Sequence, residues 1–166
     1  MSIQTEHATQ IYEMIDTQRI DFGIAQSLHT NKNIIAKPLY SEELVLLHHK
    51  KSAIEPHNEI HINYSFAYKQ WYQKNFPNSD HPKITIGTQA MLEPFIQEKN
   101  TWAIVQKSIA NSFCASNPDL TYKNLSDPFI CTTYYYHHVN VKPWIKPIIE
   151  LFLAEFQKYL KQQKAL

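Results

Sequence analysis

Three features of this 166-residue sequence predict an α/β fold. Apolar residues recur at helical spacing in stretches that alternate with short β-rich runs, a pattern that favours parallel sheet joined by helices. The breaker cluster "PNSDHP" divides this alternation into two successive blocks of the same αβ character. The chain's two glycines fall one in each block: Gly23 lies inside a strand-like run, and Gly87 follows one.

In the first block, Ala8, Ile11, Met14 and Ile15 give residues 7 to 17 a single apolar stripe, and Asp16, Thr17 and Gln18 end the helix. The strand "IDFGIA" follows within a few residues, which makes a tight αβ unit. "NIIAKPLY" and "ELVLLHHKK" read as two strands separated by "SE". An exposed loop, "KKSAIEPHNE", leads to a short strand, "IHINYSF", and Tyr68, Trp71, Tyr72 and Phe76 then mark a second helix. In the second block "KITI" is a strand, Gly87 the turn, and Thr88 a cap for a helix reaching about Glu98. "TWAIV" is a strand, "KSIANSF" a short helix, "LTYKNL" a strand or connector and "FICTTYYYHHV" a long β-rich run. Ile145, Ile148, Ile149, Phe152, Phe156, Tyr159 and Leu160 follow helical spacing to the C-terminus, with lysines near the end that suit the helix dipole.

Composition narrows the function. Apolar residues make up 43% and charged residues 19%, which describes a globular chain able to bury a core. A formal charge of +1 gives no bulk attraction to nucleic acid or membrane. No apolar run is long enough to span a bilayer, and the first twenty residues lack a leader pattern, so a cytoplasmic location with no membrane partner is expected. Cys114 and Cys131 lack CxxC spacing, which argues against a disulfide or zinc site and fits a reducing compartment.

Ligands of open α/β sheets bind outside the carboxyl ends of the strands, where helix N-termini also present free N–H groups. Gln26 and Ser27 end "IDFGIA" and either meet a ligand there or merely open a solvated loop. Gly23 lets a neighbouring helix pack close, whereas Asp21, at the other end of the strand, suits a structural hydrogen bond. Thr88 either caps its helix or binds an anion on the helix N-terminus. Thr5 or Thr9 plays either part in the first block, and Gln106, Lys107 and Ser108 at the end of "TWAIV" have the same two readings. The adjacent histidine pairs, His48 with His49 and His137 with His138, face opposite sides of strands and cannot chelate one ion, so no metal is expected. Cys131 lies within an apolar run and reads as a small hydrophobe. With no Walker loop, GxGxxG or nucleophile elbow, neither a cofactor nor catalysis is indicated.

Taken in order, "TQIYEMIDTQRIDFGIA", "AKPLYSEELVLLHHKKSAI" and "KITIGTQAMLEPFIQEKNTWAIVQKSIA" resemble the effector-binding domain of LysR-type transcriptional regulators. The first resembles the family's helix, turn and "D-x-G-I" strand, and the second its "x-P-L-x-x-E-x-L-V-L-V" strand pair. The third is similar to the strand, threonine-capped helix and strand of its second lobe, in the variety where a tryptophan precedes "I-V-P-x-S-x-A". Gln106 stands at that proline's place, which implies a less rigid loop.

The resemblance implies a two-lobed α/β fold like the type 2 periplasmic binding proteins, with two crossing strands as hinge and a small-molecule cleft between lobes. Residues 1–62 with 137–166 would form lobe one and 63–136 lobe two. Thr5, Thr9, Gln26, Ser27, Thr88, Gln89 and Gln106 are then the ligand-binding positions. Their hydroxyls, amides and helix N-termini suit a carboxylate effector. The implied function is effector sensing and dimerisation by a homo-oligomer, without catalysis. A transporter's solute-binding protein, or less readily a small enzyme, would use the same scaffold. The family's winged helix-turn-helix, and the usual first strand and helix of lobe one, precede the part that this sequence resembles. DNA would be reached only through that further domain. An excised piece, a misplaced start and a degenerate protein are three ways to read this, and a missing central strand would favour unusual oligomerisation.

Overall fold

A computed structural model describes residues 3–79 and 81–164; Met1, Ser2, Asp80, Ala165 and Leu166 lie outside the described residues. The chain divides into two units, one drawing on the chain up to Leu39 and again from Thr133, the other being Tyr40–Thr132. The sequence reading placed these divisions at 62/63 and 136/137. The chain passes the observed divisions inside two strands, β2 (Ile34–His49) and β7 (Ile130–His138).

In the first unit, helix α1 (Ala8–Asp16) buries Tyr12 and Ile15. Its cap is His7 rather than Thr5 or Thr9: the Thr9 N–H donates to His7 Nδ1 at 3.4 Å, and the His7 N–H donates back to Gln10 Oε1 at 3.4 Å. An imidazole lone pair thus does the work of the expected hydroxyl in a reciprocal capping box. Gln18 takes a left-handed backbone, φ 55°, and the N–H groups of Arg19 and Ile20 both return to the Met14 carbonyl at 2.7 and 3.2 Å. These returning bonds hold the chain against the helix end and shorten the expected strand to β1, Gly23–Ala25. Asp21 forms the anticipated structural contact, an ion pair with Lys142 at 3.1 Å.

β1 pairs antiparallel with β7, Gly23 opposite Tyr136 and Ala25 opposite Tyr134. A Cβ on Gly23 would meet Ile11 Cγ2 at 2.5 Å and Ile15 Cδ1 at 3.0 Å, so glycine is what lets α1 lie on the strand. Helix α5 (Lys146–Lys164) starts just after Pro143 and carries Pro147 in its first turn, where no helical N–H is lost. Its apolar stripe is only partly covered: Ile149 is buried, whereas Ile148, Leu151, Phe152 and Tyr159 are exposed.

In the second unit the near-continuous apolar run of β2 is explained by burial on both faces. Val45 and Leu47 join Ala103 and Val105 of β5 (Trp102–Gln106) in one core cluster, while Leu44 and Leu46 join Trp102 and Ile104 in another. The first cluster takes in α4 (Lys107–Ser116) through Ala110, and the second takes in α2 (Phe66–Asn75) through Tyr68 and Tyr72. "SE" does not divide β2, because β7 and its approach supply partners across the gap: Ser41 Oγ bonds Thr132 Oγ1 at 2.8 Å and the Leu44 N–H donates to Phe129 O at 2.9 Å.

Among the described residues, the parallel pairing inferred from alternation joins β3 (Ile60–Ile62) to β4 (Ile84–Ile86), with a parallel bridge from Glu59 to Trp102 of β5. β2 instead pairs antiparallel with β5 and with β6 (Leu120–Asn124). α2 connects two parallel neighbours as a βαβ unit requires, whereas β1 with β7, and β2 with β5 and β6, pair antiparallel and need no such crossover. The helix expected from Thr88 to about Glu98 is broken into a 3₁₀ turn, Gln89–Met91, and a short α3, Glu93–Ile96. Pro94 has no N–H for a continuous helix and fits only the first turn of a new one.

Candidate functional site

The parallel run of β3 and β4, with the bridge to β5, brings the carboxyl ends of these strands to one edge of the second unit. Thr88 follows β4 and caps the 3₁₀ turn, its hydroxyl accepting the Ala90 N–H at 3.4 Å. The turn delivers Gln89 to the end of β5. Gln89 Nε2 donates to Gln106 Oε1 at 2.7 Å, and the Gln106 N–H donates to Gln89 Oε1 at 3.2 Å. Gln106 is 4% exposed and ties two strand ends together through an amide pair. Three of the predicted positions, Thr88, Gln89 and Gln106, thus lie on this one edge.

Two participants on that edge were not legible beforehand. Ser65 caps α2 by accepting the Tyr68 N–H at 3.1 Å. Glu42 on β2 covers the start of α4: the Ser108 N–H donates to Glu42 Oε2 at 2.9 Å and the Ser108 hydroxyl bonds Oε1 at 3.0 Å. The chain's own carboxylate therefore takes the donors that a helix N-terminus offers an anion. A serine two residues past a strand end signals such a donor pair, but nothing in the local sequence points to Glu42.

In the first unit, Ser27 follows β1 and is held by aromatic hydroxyls. Tyr12 donates to the Ser27 carbonyl at 2.5 Å and lies 2.6 Å from its Oγ, and Tyr136 donates to the same carbonyl. Burial, then the hydrogen bond with Tyr12, raises the Tyr136 pKa, and the Tyr12 ring stacks on His29 at 4.5 Å. Gln26 precedes this clamp at the end of β1. Thr5 is exposed ahead of α1, and Thr9 is an exposed residue of its first turn whose N–H the His7 cap uses.

The histidine pairs serve local structure. His49 Nε2 is 2.9 Å from the Ile96 carbonyl, and His138 Nδ1 accepts the Asn140 N–H at 3.0 Å. Among the described residues no group of three or more His, Cys, Asp or Glu side chains could hold a metal ion. Burial pushes the Cys131 thiol up to about 11, away from a nucleophile's range. No helix of the described residues is long and apolar enough to cross a membrane.

No protein-family model matches the sequence, and no curated protein matches it. Solved structures do match the fold. The effector-binding domain of a BenM variant superposes with a TM-score of 0.70 at 14% identity, over 94% of this chain and 80% of that one. The BenM effector-binding domain with its effector benzoate gives 0.68 at 14%, over 96% and 78%. The reduced regulatory domain of OxyR from Pseudomonas aeruginosa gives 0.69 at 13%, over 91% and 77%. The chain thus has the α/β fold of these effector-binding and regulatory domains.

Proposed function

We propose that this chain is the effector-sensing and dimerisation domain of a LysR-type transcriptional regulator, a cytoplasmic, non-enzymatic protein that needs no cofactor. The fold match over 94% of the chain carries this reading. In it, the first unit is regulatory subdomain I and the second is subdomain II. Thr88, Gln89 and Gln106, on the strand-end edge of the second unit, contact the effector.

Hydroxyls and amides suit recognition of a carboxylate better than catalysis, since none is an acid or base at neutral pH. The exposed apolar residues of α5 support assembly with a second copy. DNA is reached through a winged helix-turn-helix outside this sequence. Effector binding acts by favouring one of two conformations, to the extent that its affinity for them differs.

The test is the melting temperature of the purified chain against a panel of small carboxylates. An effector at about a hundred times its dissociation constant adds roughly 2.7 kcal/mol, a shift of about 5 to 10 °C for a chain of this size. The shift should shrink in Thr88→Val. A panel without a responder, or a full shift in Thr88→Val, removes the reading or its site.

A further inference from the structure

The second unit contains a cavity of about 510 Å³, within the size range of small-molecule sites. It is lined by His61 and Asn63 of β3 and its continuation, by Lys69, Tyr72 and Gln73 on one face of α2, and by Phe76 at that helix's end. Thr88, Gln89 and Gln106 do not line it.

Behind the lining sits Glu59, 1% exposed. One carboxylate oxygen lies 2.9 Å from His61 Nδ1, and the other accepts a hydrogen bond from the Tyr72 hydroxyl. With Nδ1 committed to Glu59, Nε2 is the ring's remaining polar atom, and the ring is only partly buried. A buried carboxylate on one side of an imidazole fixes its tautomer and the orientation of its ring. Lys69 adds an exposed ammonium on the same lining, and Asn63 and Gln73 add amide donors. The Tyr72 and Phe76 rings stack at 5.1 Å and 14°, giving an apolar wall beside these donors.

We propose that this cavity is a second small-molecule site, for a small organic acid whose carboxylate meets Lys69 and the Asn63 and Gln73 amides beside the His61 ring, and whose apolar body lies on Tyr72 and Phe76. Glu59 is a positioning residue that aligns His61 from behind. The proposal does not rest on the regulatory reading, since it uses a separate set of residues and needs no DNA-binding partner.

The experiment is an NMR titration of the full chain at pH 7.5 with benzoate as probe, following the His61 ring signals. Benzamide, its uncharged counterpart, is titrated in parallel. Saturable movement of the His61 ring signals with benzoate, at least fivefold weaker in Lys69→Gln and absent with benzamide, is expected. Lys69 is exposed, so this variant keeps the fold; far-UV circular dichroism checks it. His61 signals that stay fixed up to about 100 mM benzoate would overturn the site, as would equal affinity in Lys69→Gln or an equal response to benzamide. Movement confined to the backbone signals of Thr88, Gln89 and Gln106 would also overturn it while leaving the regulatory reading intact.

Discussion

Ser27 in the first unit and Glu59 in the second are each held by two side chains, at least one of them a tyrosine, yet the acceptors differ in charge. Ser27 offers a neutral backbone carbonyl to Tyr12 and Tyr136, and its own hydroxyl is shared with Tyr12. Glu59 offers a nearly inaccessible carboxylate to Tyr72 and His61. A carbonyl that loses one of two donors keeps the other and has lost about one ordinary hydrogen bond. A buried carboxylate that loses a donor has lost part of what replaces its hydration, which costs more. The first arrangement shapes a loop, and the second keeps an imidazole in one orientation beside a cavity.

The largest effect that would sharpen this contrast is expected at Tyr72. Tyr72→Phe should destabilise the chain by about 1.5 to 3 kcal/mol in urea unfolding, the range for hydrogen bonds to charged groups. A loss below that of Tyr136→Phe would break the contrast. Next comes Gly23→Ala in the first unit, where the added methyl must displace Ile11 and Ile15 of α1. Overpacking there should cost about 1 to 3 kcal/mol, and Gly87→Ala, with no heavy atom within 4 Å of the new Cβ, should cost clearly less.

Tyr136→Phe should cost about 0.5 to 1.5 kcal/mol, since Tyr12 still donates to the Ser27 carbonyl. Both units contain tyrosines whose pKa values burial raises above the ordinary 10.0: Tyr136 in the first, Tyr64 and Tyr68 in the second. The folded state thus keeps protons that the unfolded chain releases. The contribution of these groups is complete below about pH 10 and falls as pH rises above it, so the urea midpoint should drop between pH 9.5 and 11. A midpoint that is flat across that interval would contradict their burial. The smallest effect is expected at Glu42. Glu42→Gln removes an anion from the start of α4 and should cost about 0.3 to 1 kcal/mol, less at high salt.

The two units also differ in how far the sequence exposed them. α1, α2 and α5 were legible because each has a helical apolar pattern with a boundary signal, and the packing role of Gly23 follows from a glycine within a strand beside a helix. The pairing directions were not, because alternation of helix and strand specifies which elements exist and not whether β2 meets β5 antiparallel. The broken helix after Thr88 could have been read from Pro94.

On the strand-end edge, the placement of Thr88 and Gln106 follows from their positions at or after the ends of strands. The Gln89 to Gln106 pair joins residues seventeen apart in the chain and needed the fold. Glu59 and His61 were passed over because a glutamate beside a polar loop reads as solvated. Their spacing of two along a strand puts both side chains on one face, which is the signal that could have found them.

The central claim is that the strand-end edge of the second unit is the effector's contact surface. Calorimetric titration of the strongest carboxylate from the melting panel into the wild-type chain and Gln106→Leu tests it most directly. The account predicts at least a tenfold loss of affinity in Gln106→Leu, with the cooperative melt retained. Unchanged affinity in a folded Gln106→Leu would contradict it.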